Sequence, residues 1–366
     1  MRFSTKREQL LEPITVVEKS TSKNLNLPVL SCILLEVSND TLSLSATNLD
    51  VGVRYDLPVQ DAQNGRAAVS GTVLAQVISS LGSGASVTIA TNETHLLVRS
   101  KGATSHIALQ DASEFPVLPH VGEGTELTLP SKALHEALQS VSYCASTSTI
   151  KPELSSVFVH VDGGTLITAA TDSFRLAEKR VPLKKAVSCD PFLVPARSIV
   201  ELLRILEQEK DTITICVSEH QLSLTLPAVY LTMRLTSGTF PDYTQIIPKE
   251  FVTEATMLVH DIERTLRKAA VFSDQFNQTT LSIAPKKKEF TVHTENTTVG
   301  ETTDTVAAAL SGQALTIRFN QRYLLDALHS IGTDSISIHF ASQSQAAIVR
   351  PVGNDSFIYL VMPMNR

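Results

Sequence analysis

The chain has 366 residues, too many for one ordinary hydrophobic core and enough for two or three domains. Hydrophobic residues make up 43% of it, and tryptophan is absent, so its cores must be built mainly from Leu, Val, Ile and Ala. The net charge of −6 argues against a protein that covers itself with nucleic acid by overall charge alone, although a local basic stripe is compatible with it.

The first residues carry Arg2, Lys6 and Arg7 among few apolar ones, which is unlike a signal peptide. A run of about 18 apolar residues, as a membrane helix needs, is also missing from the sequence. We therefore expect a cytoplasmic protein. The cysteines show no C-x-x-C spacing, which predicts buried free thiols rather than zinc or redox chemistry at Cys32, Cys144, Cys189 and Cys216.

Six helical patterns follow one another along the chain, beginning near residues 6, 72, 131, 197, 260 and 321. They recur every 59 to 66 residues. In the third pattern, for example, Leu134, Leu138 and Val141 fall on one helical face. The segments between the helices are short runs of alternating apolar and polar residues, which indicate strands.

A longer unit is repeated three times. An alternating strand, a turn, a second strand and a threonine followed by a polar residue occur in residues 31–48, 155–172 and 279–296. The anchor threonines Thr47, Thr171 and Thr294 are spaced by 124 and then 123 residues. A strand–break–helix segment behind each copy repeats as well, so the chain contains three versions of one unit.

These repeats predict an α+β chain of three tandem domains, residues 1–121, 122–250 and 251–366. Each domain is expected to contain two helices and about eight mostly antiparallel strands. Tandem units of this kind stack into a solenoid or close into a ring. A solenoid needs atypical capping units, so three equally complete copies favour the ring.

No pattern in the sequence indicates catalysis. The sequence contains no nucleophile elbow, no P-loop and no H-E-x-x-H helix. The segment LGSGAS (81–86) lacks a lysine and is interpreted as a turn, and PKKKE (285–289) as a solvated hairpin tip. The histidines are scattered and are expected to have structural roles. We therefore expect a binding protein with no catalytic residue, metal or cofactor.

The chain resembles the bacterial DNA polymerase III beta subunits, the sliding-clamp family, along its whole length. The resemblance is carried by the triplicated unit and by the segments TDSFRLA (171–177), FPDYTQIIP (240–248) and YLVMPM (359–364). The chain departs from the family at Phe174, where His is frequent, at Gln245, where Arg is common, and in its Asn365-Arg366 ending.

The resemblance implies a head-to-tail homodimer with six domains around a ring, helices lining the hole and sheets outside. Such a ring encircles duplex DNA without sequence preference, tethers the polymerase and has no catalytic activity of its own. The implied protein partners are the DNA polymerase III alpha subunit, the clamp loader, other polymerases and repair proteins.

The resemblance also implies a hydrophobic cleft beside the last strand, where partner peptides dock. Methionine suits such a site because its flexible thioether adapts to different partners. By strand alternation we expect about half of the tail to be core and half to be exposed cleft. Carried over residue by residue, the cleft is formed by Leu154, Thr171, Arg175, Leu176, Pro241, Gln245, Ile246, Phe276, Asn320, Tyr323, Val361, Met362, Pro363 and Met364.

Candidates for DNA contact, again by resemblance, are Lys23, Asn24, Thr147, Lys151 and Arg197. The joint between subunits is predicted between two edges with apolar centres and opposite charges. Its residues are expected to be Arg99, Lys101, Ile107 and Leu109 in the first domain, with Val271, Phe272, Glu295, Glu301 and Asp304 in the third.

Two other interpretations of the sequence stay open. One is an enzyme or repair factor that reuses this fold, and the other is a passive β-repeat scaffold without a role on DNA. An enzyme would turn over a substrate, and a scaffold would not bind DNA. Retention on circular DNA with loss after linearisation would distinguish a clamp from both.

Overall fold

The computed structural model describes residues 1–22, 26–183, 188–208 and 211–364. The chain forms two compact units, Met1–Lys132 with Ser198–Leu235 and Ala133–Arg197 with Thr236–Arg366. Six α-helices lie in the described ranges, each beginning within one residue of its predicted start: α1 (Arg7–Glu18), α2 (Gly71–Ser80), α3 (Ser131–Ser142), α4 (Ala196–Gln208), α5 (Val259–Ala269) and α6 (Gln321–Leu328). None of these described helices has the length and apolar character that a membrane span requires.

The first unit is built on one antiparallel sheet of 13 strands. These strands are β1 (Arg2–Lys6), β2 (Cys32–Ser38), β3 (Thr41–Thr47), β4 (Val51–Pro58), β5 (Gln60–Gln63), β6 (Gly65–Ser70), β7 (Ser86–Thr91), β8 (His95–Ser100), β9 (Ala103–Gln110), β10 (Thr125–Pro130), β15 (Thr212–Val217), β16 (Gln221–Thr225) and β17 (Val229–Arg234). Their order across the sheet is β10-β15-β16-β17-β4-β3-β2-β6-β9-β8-β7-β1-β5.

The second unit contains a sheet of nine strands and a sheet of four, both antiparallel. Their strands are β11 (Ser156–Asp162), β12 (Thr165–Thr171), β13 (Arg175–Pro182), β14 (Phe192–Pro195), β18 (Thr253–Leu258), β19 (Gln278–Ala284), β20 (Glu289–Asn296), β21 (Gly300–Val306), β22 (Ala308–Gly312), β23 (Leu315–Asn320), β24 (Ser335–Phe340), β25 (Ala347–Pro351) and β26 (Phe357–Val361). The orders are β14-β11-β12-β13-β26-β25-β24-β18-β22 and β21-β20-β19-β23.

The large sheets continue from one sequence repeat into the next. In the first unit, β4 of the first repeat pairs with β17 of the second, with Val51 opposite Met233. In the second unit, β13 of the second repeat pairs with β26 of the third, with Arg175 opposite Val361. The last strand is therefore an interior strand between β13 and β25 rather than a frayed terminus.

The anchor threonines of the first two repeats shape the turn that leads into these joining strands. Thr47 Oγ1 donates to the backbone oxygen of Val51 at 2.9 Å, and Thr171 Oγ1 does the same to Arg175 at 2.7 Å. The polar residue that follows accepts backbone N–H bonds through its own side chain, as an Asx turn does. Thr294 differs, because it lies inside β20 and bonds to Thr279 Oγ1 at 2.9 Å.

The apolar tail is buried on both faces for most of its length. Tyr359, Leu360 and Val361 are each at most 1% exposed, and Leu360 packs in one core cluster with Leu176 and other residues of both repeats. An interior strand that is covered on both faces shows no alternation, so the expected division into core and cleft faces does not hold along β26. Within β26 only Ile358 is partly exposed, and the first exposed residue of the tail is Met362, at 38%.

Two of the four cysteines depart from the expectation of burial. Cys32 and Cys144 are buried, whereas Cys189 and Cys216 are partly exposed, and all four are free. Cys216 lies on the outward side of β15, between the buried Ile215 and Val217, and Cys189 lies in the segment before β14. The two predicted turns are confirmed, since 81–86 connects α2 to β7 and 285–289 connects β19 to β20.

The burial of the tail gives a stability prediction. Leu360→Ala should lower the free energy of unfolding by about 2–5 kcal/mol, because it leaves a cavity in a closely packed core. Met362→Ala is the matched control and should cost about 0.5 kcal/mol or less, since its side chain is exposed. Urea denaturation followed by circular dichroism measures both. Equal destabilisation by the two substitutions would contradict the position of β26 inside the sheet.

Candidate partner-binding cleft

The turn between β12 and β13 begins the candidate cleft. Thr171 Oγ1 accepts the N–H of Ser173 at 3.1 Å, and Ser173 has a φ of 77°, in the left-handed region. Asp172 Oδ1 accepts the N–H groups of Phe174 and Arg175 at 2.9 and 3.0 Å. The turn therefore leaves Phe174 61% exposed while it directs Arg175 inward.

Arg175 holds three segments of the site together. Its Nε donates to Asp172 Oδ2 at 3.0 Å and its Nη2 to the backbone oxygen of Tyr143 at 2.8 Å. Its Nη1 is ion-paired with Asp326 of α6, and its guanidinium carbon lies 4.5 Å from the ring centre of Tyr323. Because only 12% of the side chain is exposed, Arg175 supports the wall of the site more than it offers charge to a partner.

Burial keeps the titratable neighbours of this arginine neutral. It raises the pKa of the Cys144 thiol and the pKa values of the Tyr143 and Tyr359 phenols. The Tyr359 hydroxyl donates to the backbone oxygen of Tyr323 at 2.7 Å. These three groups stay uncharged near pH 7, so the charges here are those of the Arg175 guanidinium and its two carboxylate partners.

The segment FPDYTQ is fixed to the core by two aromatic rings. Phe240 stacks on Phe158 with ring centres 5.0 Å apart, and the Tyr243 hydroxyl donates to the buried carboxylate of Glu178. Asp242 Oδ1 accepts the N–H of Thr244 at 3.1 Å and so caps a short 3₁₀ turn over 243–246. These anchors leave the residues between and after them on the surface, namely Pro241, Gln245 and Ile246.

The tail and the start of α6 form the other side of the site. Met362 N–H donates to the backbone oxygen of Phe174 at 2.8 Å, and Met364 N–H to that of Arg318 at 2.8 Å. Asn320 caps α6 by accepting the N–H of Arg322 at 3.0 Å, and its Nδ2 lies 3.4 Å from the backbone oxygen of Phe276. The end of the chain is thereby tied to the turn after β12 and to β23.

The predicted cleft residues divide by exposure. Those on the surface are Pro241, Gln245, Ile246, Phe276 and Met362; those partly exposed are Arg175, Asn320, Tyr323 and Met364; and those buried beneath are Leu154, Thr171, Leu176, Val361 and Pro363.

The sequence analysis missed the partners of Arg175. Asp172 adjoins the anchor threonine and Asp326 lies one helical turn after Tyr323, so both were within reach of sequence reasoning, whereas the contact with Tyr143 was not.

The predicted joint residues lie on or beside two strands with an open edge. In the described part of the chain, β9 pairs with β8 along its length but with β6 only at its last two residues. β21 is the outermost strand of its sheet and pairs there with β20 alone. Among the described strands, β21 leaves all seven of its residues unpaired on the open side, and β9 leaves the first six of its eight.

The side chains of these two edges differ in availability. Val271 is 66% exposed. Phe272 is half-buried, and its ring lies beside Gly300. Ile107 is already buried in its own unit, Leu109 is partly exposed, and Asp304 is tied to Lys268 at 2.9 Å. The exposed charges have opposite signs on the two sides: Arg99 and Lys101 beside β9, and Glu295 and Glu301 on β20 and β21.

The predicted DNA contacts are only partly described. Lys23 and Asn24 lie outside the described residues. Thr147 and Lys151 are exposed in the loop between α3 and β11, and Arg197 is exposed in the first turn of α4. Their contact with DNA stays a prediction.

The cations of α5 are largely compensated. Arg264 pairs with Asp261 at 2.8 Å and Arg267 with Glu263 at 2.6 Å, while Lys268 reaches Asp304 of β21. A helix with such pairs presents a mixed surface rather than a strongly positive one. It can lie beside a phosphate backbone without holding it tightly.

Comparison with known proteins gives a consistent result over the whole chain. Residues 1–119 match the N-terminal domain of the DNA polymerase III beta subunit, residues 128–242 its central domain, and residues 244–365 its C-terminal domain. The three-domain α+β architecture predicted from the repeats is confirmed by these matches.

Full-length relatives agree with the domain matches. The chain is 27% identical over 373 residues to the beta sliding clamp of Pseudomonas aeruginosa, covering all of both chains. It is 28% identical over 388 residues to that of Synechocystis, covering all of this chain and 99% of the relative. A crystal structure of the Pseudomonas aeruginosa sliding clamp bound to griselimycin superposes with a TM-score of 0.94 at 26% identity, over all of both chains. The chain belongs to the DNA polymerase III beta subunit family, the sliding clamps of DNA polymerase.

Proposed function

We propose that this clamp works as a closed ring of two chains joined head to tail around duplex DNA. The observation that carries the ring is the pair of open edges on β9 and β21. Antiparallel addition of one edge to the other would extend the sheet from chain to chain, in the way β13 and β26 already join two repeats within one chain. We keep residues 1–121, 122–250 and 251–366 as its three domains.

The charges support the same joint. The cationic side carries Arg99 and Lys101, and the acidic side carries Glu295 and Glu301. Attraction of this kind fixes the orientation of a heterologous contact, because two like sides repel each other. Two such contacts would close a ring of six domains, in which the β9 edge and the β21 edge of each chain are both paired.

Binding by encirclement requires no tight contact with DNA. The net charge of −6 and the paired cations of α5 are compatible with it, because the chain is held by topology rather than by affinity. The sliding-clamp family is non-catalytic, which favours this function over the enzyme and over the scaffold without a DNA role. DNA and the polymerase are the partners that family membership implies.

The cleft around the tail would recruit the protein partners. Apolar side chains that are exposed or partly exposed, among them Ile246, Phe276, Met362 and Met364, surround the rigidly held side chain of Arg175. A rigid apolar site that is already formed binds short peptides at a low entropic cost. We assign to it the peptide motifs of the polymerase III alpha subunit, the clamp loader, other polymerases and repair proteins.

The joint predicts the effect of one substitution. Phe272→Asp should convert the dimer to a monomer at micromolar concentration, because it removes an apolar ring from the centre of the joint and would bury a carboxylate there. Val352→Asp, in the turn after β25, is the matched control and should leave the dimer intact. Sedimentation velocity gives both masses. A dimer that persists in Phe272→Asp would show that this joint is wrong.

Topology predicts the behaviour on DNA. When the clamp loader and ATP have placed the protein on a nicked circular plasmid, it should stay bound at a salt concentration that removes non-specific contacts. Cutting the plasmid once should release it, because a ring slides off a free end. Gel filtration of the protein–DNA mixture before and after cutting is the measurement. Equal retention on both forms would argue for contact binding instead of encirclement.

Removal of the residues after Val361 is predicted to weaken partner binding. A chain ending at Val361 lacks Met362, Pro363 and Met364 and should bind a fluorescent peptide from the polymerase C terminus about a thousandfold more weakly. Its fold should survive, since β26 ends at Val361 and remains paired on both sides. A chain ending at Met364 is the control and should bind normally. Anisotropy titration beside a thermal melt measures binding and fold, and an unchanged dissociation constant would exclude the tail from the cleft.

A further inference from the structure

A compact group of metal-ligand side chains lies on the hairpin of β20 and β21, away from the candidate cleft. His293 and Glu295 are two residues apart on β20 and so share a face, and Glu301 of β21 is directly opposite Glu295 in the strand register. One ligand atom from each of the three side chains lies within 4.8 Å of the others. His293 Nε2 and Glu295 Oε2 are 3.8 Å apart.

The imidazole of His293 is oriented toward the two carboxylates. Its Nδ1 lies 2.8 Å from Thr303 Oγ1, which is the residue opposite it on β21. In the tautomer with the proton on Nδ1, Nδ1–H donates a hydrogen bond to Thr303 Oγ1, and the lone pair of Nε2 stays available on the side of Glu295. Ligating histidines are commonly fixed in this way through their second nitrogen.

The carboxylates of Glu295 and Glu301 face each other, and a bound cation would remove the electrostatic repulsion between them. Like charges directly opposite in an antiparallel pair destabilise the pair. Glu295 is 74% exposed, so its side chain can move the short distance that ligation needs. In a tetrahedral site with bonds near 2.1 Å, ligand atoms are about 3.4 Å apart, close to the separation already present between His293 and Glu295.

We propose that His293, Glu295 and Glu301 bind one Zn²⁺ ion per chain, with water as the fourth ligand. Imidazole nitrogen together with carboxylate oxygen suits zinc, whereas Mg²⁺ requires an octahedral set of oxygens. The sequence analysis gave His293 a structural role, because the three residues come together only through the register of two strands. Thr303 is a positioning residue that acts through the imidazole.

Occupancy would also affect the ring, a consequence that rests on the proposed joint. Zinc would neutralise Glu295 and Glu301, two of the acids expected to face Arg99 and Lys101 of the next chain. The ion should therefore weaken the dimer, and dimerisation should weaken zinc binding by the same factor. All three ligands belong to one chain, so the site is complete without the partner chain.

The test is a titration of the full-length protein with Zn²⁺ by calorimetry, and with Co²⁺ by ultraviolet and visible absorption. We expect saturation at one ion per chain and no thiolate charge-transfer band in the near ultraviolet, a result that would exclude the partly exposed cysteines as ligands. His293→Ala and Glu301→Gln should abolish binding, and Thr303→Val should weaken it about 10- to 100-fold. His260→Ala is the matched control, since His260 Nε2 lies 3.3 Å from Asp261 and this pair belongs to no three-ligand group among the described residues.

Circular dichroism of each variant verifies that it is folded. Absence of saturable zinc binding, or binding that survives both His293→Ala and Glu301→Gln, would overturn the site. Full competition by Mg²⁺ at equal concentration would overturn the choice of ion. Sedimentation of the dimer with and without zinc tests the coupling separately, so failure of the metal site and failure of the proposed ring are distinguishable.

Discussion

The structure depends on strand pairing between sequence repeats. A repeat of this kind leaves unpaired backbone groups at the edges of its sheets, and those groups are stable only when another strand or water satisfies them. Within the chain, β4 pairs with β17 and β13 with β26, so neighbouring repeats satisfy each other. The apolar tail follows from this constraint, because its strand lies between two others and needs apolar side chains on both faces.

The candidate cleft lies where that buried strand ends. Up to Val361 the tail belongs to the core, and from Met362 it is held by backbone hydrogen bonds to Phe174 and Arg318 while side chains reach the surface. Arg175 fixes the adjoining turn, α3 and α6 relative to one another within the same unit. A partner peptide would therefore meet a surface whose shape is set before binding, and this reduces the entropy that binding must overcome.

Patterns within short stretches of the sequence predicted the features that depend on interactions between neighbouring residues. The helix starts, the threefold repeat and both turns were correct, and the anchor Thr171 with Asp172 proved to be a hydrogen-bonded turn. Features set by register between distant strands were not predictable in the same way. The burial of both faces of β26 and the meeting of His293 with Glu301 depend on which strands are neighbours in the sheet. The contact of Arg175 with Tyr143 likewise joins residues that are distant in the sequence. The exposure of Cys216 shows the same limit, because an apolar context does not tell which face of a strand is covered.

The central claim is that antiparallel edge addition, which joins repeats within the chain, also joins chains in the proposed ring. Hydrogen–deuterium exchange of the amides of β9 and β21 tests it most directly. In the dimer, alternate amides of both strands should be protected strongly, and dilution to the monomer should release both strands together, because each supplies hydrogen bonds to the other. A dimer in which either edge exchanges as fast as in the monomer would contradict the claim.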